Sequence, residues 1–360
     1  MKILYCGVDQ YLGGIEAFVL NTYGEIHSDE IQIDFLKITD KIYFEEVFIE
    51  KNSKIHKITS RRKNPLKFVF ELYRLLKNEN YDVIHHHLNS CSSIEPIILG
   101  RLLGIKTIAH SHNEFKGNKR LTNIMHYLNS KILTFFSNEN LACSKIAGIS
   151  MFGNEKFELI KNGIDSSKYI FNDIVRKSYR SKMDLENNYV IGHIGNFKYQ
   201  KNHDFLIDIF NDVNKKNKNS KLLLIGDGEL KKDVIDKVKN YGLGDNVVFT
   251  GVREDVSNLL QAIDIFVFPS RYEGLGIVVI EAQAAGLKSI VSENIPKEAF
   301  ISDLVESISL STEKKIWVEK VLKHSNNYQR KDMSQEIQKN GYDKRNSSKR
   351  LREIYLNIHN

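Results

Sequence analysis

Two carboxylates, Glu273 and Glu281, lie in the run Pro269-Ser-Arg-Tyr-Glu-Gly-Leu-Gly-Ile-Val-Val-Ile-Glu281, seven residues apart, with Gly274 and Gly276 between them. The apolar run Ile263–Phe268 before it reads as a buried parallel strand. The run Ile277–Ala285 after it reads as a helix stopped by Gly286. The glycines therefore fall where a strand hands over to a helix, and backbone N–H groups at a helix start suit a phosphate. Glu273 belongs to the loop and Glu281 to the helix, so the two acids can grip different parts of one ligand. Carboxylates accept hydrogen bonds from hydroxyls, and sugars are rich in hydroxyls. A phosphate held between two such acids describes a nucleotide sugar.

A second strand-to-helix junction is Gly195-Asn196-Phe197-Lys198-Tyr199-Gln200-Lys201-Asn202-His203. Lys201 there can neutralise a diphosphate, with Lys198 beside it and a plain solvated lysine as the alternative. Gly226-Asp227-Gly228 and the Gly251-Val252 turn are further strand-end loops that could shape a pocket for a base; ordinary turn chemistry is favoured for Asp227. Gly13-Gly14 follows the first strand and allows close backbone approach and positive φ. It lacks the third glycine of the dinucleotide fingerprint, which argues against NAD. Histidines gather at His85-His86-His87 and at His110-Ser111-His112. Adjacent strand residues face opposite sides, so three in a row do not converge easily, and no metal is expected. His112 is read as a hydrogen-bonding partner of a sugar or an acceptor, His85 and His86 as satisfied structural residues. No two aspartates are separated by one residue, which removes the Asp-x-Asp metal-diphosphate device.

These loops need a scaffold, and the chain supplies alternating strands and helices. Strands are expected at 2–7, 31–38, 54–58, 82–87, 105–110, 139–143 and 157–160, with helices at 14–27, 65–79, 92–103, 120–136 and 145–152. After Asn162-Gly163-Ile164-Asp165 the alternation restarts at 189–195, continuing at 221–225, 246–250, 263–268, 287–291 and 306–310. The fold class is thus α/β, two tandem doubly wound Rossmann-like domains with the ligand expected in the cleft they face. Expected boundaries are 1–165 for an acceptor-binding domain, 166–188 for a linker, 189–335 for a nucleotide-sugar domain and 336–360 for a C-terminal helix crossing back to the first domain. Loops near 36–50 and 113–120 are expected to choose the acceptor.

With 360 residues, two domains are the prior. Hydrophobic content of 41% and charge of 27% are ordinary for a globular protein. No apolar run approaches the roughly 18 residues of a membrane span. Cys6, Cys91 and Cys143 are few and scattered, so neither a disulfide nor a zinc site is expected, and the protein is expected in the cytoplasm. Residues 51–77 carry nine Lys or Arg against the single acid Glu71, so this segment outweighs the net charge of +7 of the whole chain. A basic helix here, capped at Asn64-Pro65, could lie on the anionic inner face of a membrane; a core helix with solvated cations is the alternative. No nucleic-acid motif accompanies the charge.

Taken together, Gly13-Gly14, Asn162 to Asp165, Gln200-Lys201-Asn202, Gly226 to Gly228 and Pro269 to Glu281 resemble glycosyltransferase family 4. The segment from Gly286 to Glu298 is similar to members that build capsular or exopolysaccharide. The resemblance implies the GT-B fold and metal-independent, cofactor-free transfer of a hexose from a UDP-sugar to a lipid-linked saccharide, with retention. It implies Glu281 on the ribose, Glu273 on the donor sugar, and Lys201 with amides around Gly274, Leu275 and Gly276 on the diphosphate. Gly13 and Gly14 would approach the diphosphate from the other domain, and His112 would lie near the reacting sugar. Where the family usually has an arginine this chain has Asn196, leaving Lys198 as the substitute cation. A nucleotide-sugar 2-epimerase and a non-catalytic nucleotide-sugar-binding partner are the alternatives.

Overall fold

The computed structural model describes every residue except Leu12, Lys116, Asn118, Lys119, Asn326, Asn327 and Asn360, so part of the expected 113–120 acceptor loop lies outside the described residues. The chain forms two units: Met1–Ile164 with Gly341–Asn360, and Asp165–Asn340. In the first, β1 (Lys2–Cys6), β2 (Gln32–Lys37), β3 (Ile55–Lys57), β4 (Val83–Leu88), β5 (Lys106–Ser111), β6 (Glu139–Ala142) and β7 (Glu158–Leu159) make one sheet in the order β3-β2-β1-β4-β5-β6-β7. In the second, β8 (Tyr189–Ile194), β9 (Ser220–Ile225), β10 (Val247–Gly251), β11 (Ile265–Phe268), β12 (Ser289–Ser292) and β13 (Val305–Ile308) run β10-β9-β8-β11-β12-β13. Neighbouring strands in both sheets are parallel.

Parallel strands need helical crossovers, which cover both faces of the sheet. That is why β4, β8, β11 and β12 are buried along their full length. The order of strands reverses direction at β1/β4 in one sheet and at β8/β11 in the other, opening a crevice at the carboxyl ends there. Every expected strand is present, and the helices Pro65–Glu79, Arg120–Phe136 and Lys145–Phe152 have the expected limits. Asn64 caps the first of these, its side chain accepting from the N–H of Lys67.

Two expectations need correction. The segment 166–188 is not a linker: Asp173–Lys182 is a helix of the second unit. It carries almost no apolar stripe and is held by polar contacts instead. Asn172 caps it; Arg176 donates to the carbonyls of Gln261 and Ile263, and Arg180 to that of Ala262, while both pair with Asp264. The short helix Glu45–Glu50 was also missed, inside the 36–50 loop.

The last helix, Lys344–His359, belongs to the first unit and packs on the helix Gly14–Ile26, burying Leu351, Ile354 and Tyr355. Its approach is fixed at the Asn162–Asp165 turn. Ile164 N–H donates to the carbonyl of Tyr342 at 2.7 Å, and Lys344 N–H to that of Ile164 at 2.9 Å. Gly163 faces this returning segment so closely that a Cβ would stand 2.6 Å from the Lys344 Cα. Gly163→Ala should therefore push the segment away and cost about 2 kcal/mol, read as a lower thermal midpoint of the first unit; an unchanged midpoint would show that the backbone contact is dispensable.

Candidate functional site

At the β8/β11 reversal two loops meet. One runs from Gly195 to Asn202 after β8, the other from Pro269 to Gly276 after β11. They are stitched together by polar contacts: Arg271 N–H donates to the carbonyl of Gln200 at 2.8 Å, and the Gln200 side chain donates to the carbonyl of Tyr272 at 3.0 Å. Asn202 takes a left-handed conformation (φ 57°), and its amide donates to the carbonyl of Pro269 at 3.0 Å.

Within this junction Lys201 Nζ meets Glu273 Oε1 at 2.6 Å, and Gln200 Nε2 reaches Glu273 Oε2 at 3.2 Å. The ammonium also lies 4.9 Å from the centre of the Phe268 ring. Glu273 is only 7% exposed. Glu273, read from the sequence as a grip on sugar hydroxyls, and Lys201, read as a cation for a diphosphate, thus face each other as an ion pair. Burial is the reason, since either charge alone would be costly away from water. Each retains capacity, because a carboxylate oxygen accepts more than one hydrogen bond and an ammonium has three donors.

Gly274, Leu275 and Gly276 are buried, and Gly276 begins the helix Ile277–Ala284 in a left-handed conformation (φ 81°) that a side chain would resist. No side chain caps this helix, so its first N–H groups are available to an anion. Glu281 follows one turn later and is half-buried. Burial pushes its pKa up to about 7, against the opposing effect of a hydrogen bond from the Tyr169 hydroxyl. Tyr169 was not foreseen; it lies in the segment read as linker.

The remaining expected residues divide. Asn196 and Lys198 are exposed, on the rim of the junction. Gly251 is left-handed (φ 72°) and Val252 is exposed, at the end of β10. Gly226 and Gly228 serve backbone packing: a Cβ on them would stand 2.2 Å from the Gly195 carbonyl oxygen and 2.7 Å from the Phe197 nitrogen. Asp227 pairs with Lys231 at 2.8 Å and accepts from the Gly228 N–H, which is turn chemistry as expected.

In the first unit, Gly13 precedes the helix Gly14–Ile26 in extended backbone, and a Cβ on Gly14 would have nothing within 4 Å. Positive φ is thus not what these glycines provide. Glu16, two residues on, is buried and accepts from the Asp9 N–H at 2.9 Å; burial raises its pKa. His112 follows β5. Its ring pKa is lowered by burial to about 3, so it is a neutral hydrogen-bonding group. The argument that histidines do not converge holds for His86, which faces the other side and leaves Nδ1 without a partner among the described residues. It fails for the rest. His85 and His87 share a face with His110 and His112 of the neighbouring strand, and ring nitrogens of His85, His87 and His110 lie within 4.8 Å of one another. Register between strands, which no single run of residues discloses, is what joins them.

Comparison with known proteins agrees with this geometry. A family described as "Glycosyltransferase Family 4" matches residues 12–168, and one described as "Glycosyl transferases group 1" matches residues 175–344. The putative glycosyltransferase EpsF of Bacillus subtilis is 27% identical over 95% of this chain and 93% of its own. The capsular polysaccharide biosynthesis glycosyltransferase CapH of Staphylococcus aureus is 25% identical over 80% of this chain and 81% of its own. An Escherichia coli UDP-Gal:alpha-D-GlcNAc-diphosphoundecaprenol alpha-1,3-galactosyltransferase is 28% identical over 63% of this chain and 62% of its own. Among solved structures, Anabaena Alr3699/HepE in complex with UDP-glucose has the same fold, with a TM-score of 0.80 and 17% identity over 99% of this chain and 100% of that one.

The raised pKa of Glu281 makes a linkage prediction. The folded state binds a proton there more tightly than the unfolded chain, so this contribution to stability is present at acid pH and lost as pH rises through about 7. Glu281→Gln should be more stable than the wild type by about 1–3 kcal/mol at pH 8 and no more stable at pH 5. A difference in unfolding free energy that does not change between those pH values would show that the carboxyl group is not buried as described.

Proposed function

Because this chain belongs to glycosyltransferase family 4 and has its GT-B fold, we propose that it transfers a hexose from a UDP-sugar to a lipid-linked saccharide, with retention of configuration and without a metal ion. Glycosyl transfer in polysaccharide biosynthesis is supported by the matched relatives, which include transferases of that kind. The observation that carries the finer reading is the Lys201–Glu273 pair beside an uncapped helix start, with Glu281 one turn further on. A diphosphate arriving at the helix N–H groups would share the Lys201 ammonium with Glu273. Glu273 would orient that ammonium and accept hydroxyls of the donor sugar with its remaining lone pairs. Glu281, once ionised, would accept the two ribose hydroxyls, so donor affinity should fall as pH drops below about 7.

As the sugar–phosphate bond breaks, charge grows on the departing diphosphate. Lys201 and the helix-start N–H groups would stabilise that charge without reorganising, and such contacts are typically each worth a few kcal/mol. Asn196 supplies no second cation, and the exposed Lys198 is the nearest substitute in this loop. His112, neutral and at the end of β5, suits a sugar hydroxyl.

A bilayer-facing surface is part of the same reading, because the acceptor would be lipid-linked. The helix Pro65–Glu79 buries Phe68, Leu72 and Leu76 yet leaves Leu66 and Phe70 exposed at 83% and 59%. Arg74 lies over Phe70 and Lys77 over Tyr73. The helix Arg120–Phe136 adds exposed Leu121, Tyr127, Leu128 and Phe135, with Lys131 over Tyr127. Cations above exposed aromatic rings suit a headgroup boundary. Arg61 is committed elsewhere, pairing with Glu95 at 2.6 Å.

UDP-sugars should stabilise the folded protein by about 2.7 kcal/mol at a hundredfold excess over Kd, read as a higher thermal midpoint than GDP- or ADP-sugars give. In Lys201→Met turnover should drop about 100-fold while the fold persists. UDP released at equal rates with and without a saccharide acceptor would instead favour an epimerase, and full polysaccharide assembly by Glu273→Ala in cells would favour a binding-only protein. For the surface, Leu66→Ser with Phe70→Ser should weaken sedimentation with anionic vesicles; sedimentation equal to wild type would remove the membrane reading.

A further inference from the structure

Four of the buried histidines of the first unit, His85, His87, His110 and His112, form a block with its own internal order. His85 Nε2 hydrogen-bonds His110 Nδ1 at 3.1 Å, and His87 Nδ1 hydrogen-bonds His112 Nε2 at 2.9 Å. These two pairs are stacked on each other: the His85 and His87 rings are 4.2 Å apart at 25°, and the His110 and His112 rings 4.1 Å apart at 36°. One end is anchored, since His85 Nδ1 hydrogen-bonds the Tyr355 hydroxyl at 2.6 Å and Tyr355 hydrogen-bonds Tyr5 at 2.7 Å. Phe18 closes the block edge-on against His110 and His112. The other end is not anchored. His112 Nδ1 is buried and has no partner among the described residues.

This arrangement suits hydrogen bonding better than a metal. Imidazole lone pairs lie in the ring plane and must meet at a metal roughly 2 Å away. The nearly parallel planes of His85 and His87 direct theirs alongside each other. No carboxylate belongs to the block, so a divalent charge there would stand uncompensated in the core. Neutral rings sharing protons along two hydrogen bonds need no such compensation. His112 also stands at the carboxyl end of β5, next to the β1/β4 reversal, where doubly wound sheets bind ligands.

We propose that His87 is a positioning residue: by occupying His112 Nε2 it fixes the ring and tautomer of His112 and leaves Nδ1 as the nitrogen that meets a sugar hydroxyl. The inference rests on the glycosyl-transfer reading and adds to it a residue that touches no substrate. Its hydrogen bond sets one choice for the pair. When His87 donates, His112 Nδ1 carries the proton and donates to the sugar; when His87 accepts, Nδ1 accepts from a hydroxyl. Either way the ring enters the site without charge and in a single orientation.

The test compares His87→Leu, which removes the bond, with His87→Asn, whose amide can reach where Nδ1 stood. Wild-type full-length protein is first titrated with UDP-glucose and other UDP-sugars by thermal shift, so failure of the functional reading is seen separately as no donor response. For the variants, kcat should fall at least ~30-fold in His87→Leu with donor KM within about twofold of wild type, and His87→Asn should recover most of it. Histidine ¹⁵N spectra give an arm independent of turnover: one fixed neutral tautomer at His112 in wild type and His87→Asn, tautomer averaging in His87→Leu. Equal kcat per folded molecule in wild type and His87→Leu overturns the proposal. So does averaging at His112 in the wild type, or a stoichiometric transition metal that co-purifies and whose removal abolishes activity.

Discussion

An all-parallel sheet leaves its chemistry only one place to go. Helical crossovers bury both faces, so polar side chains on the strands themselves must find partners inside the core or emerge at the strand ends. Both outcomes occur here. In the second unit Lys201, Glu273 and the start of the Ile277–Ala284 helix all emerge at the reversal between β8 and β11. In the first, the histidines of β4 and β5 stay inside, where His85 pairs with His110 and His87 with His112, and His112 lies just past the end of its strand. Every further feature of the site is a consequence of where the strand order changes direction.

Buried charge is the second constraint, and the chain meets it in two different ways. Glu273 faces a lysine at 2.6 Å. Glu281 meets a tyrosine hydroxyl, with no cation beside it among the described residues, and burial moves its pKa toward neutrality instead. A carboxylate neutralised by an ion pair and one neutralised by a proton respond differently to a ligand. The first exchanges partners when a polyanion arrives; the second must release its proton before it can accept hydroxyls fully. Two acids that look equivalent in the sequence therefore differ in what they ask of the solution.

Much of this was legible beforehand. Strands such as Ile265–Phe268 and Tyr189–Ile194 are short β-branched or apolar runs, and the cap at Asn64 marks a helix start. The glycine-bearing junctions pointed to the two strand-end loops that meet at the β8/β11 reversal. What stayed hidden depends on contacts distant in sequence. The Asp173–Lys182 helix leaves no apolar periodicity because arginines hold it to the carbonyls of residues 261–263. The pairing of His87 with His112 needs the register of two strands, and the pairing of Lys201 with Glu273 needs a loop separated from its partner by 72 residues. Tyr169 escaped notice because its partner, Glu281, is distant in sequence.

The returning helix Lys344–His359 has one more consequence, which concerns synthesis rather than catalysis. Most of the first unit precedes the second along the chain, yet it lacks Leu351, Ile354 and Tyr355 until the second has been made. The intervening unit, contiguous from Asp165 to Asn340, meets no such delay and can finish while its predecessor is still incomplete. Domains usually mature in the order they leave the tunnel. Here that order is inverted, and the histidine stack acquires its tyrosine anchor only after the second unit has been made, so the nascent chain carries an unfinished apolar seam while that unit is synthesised.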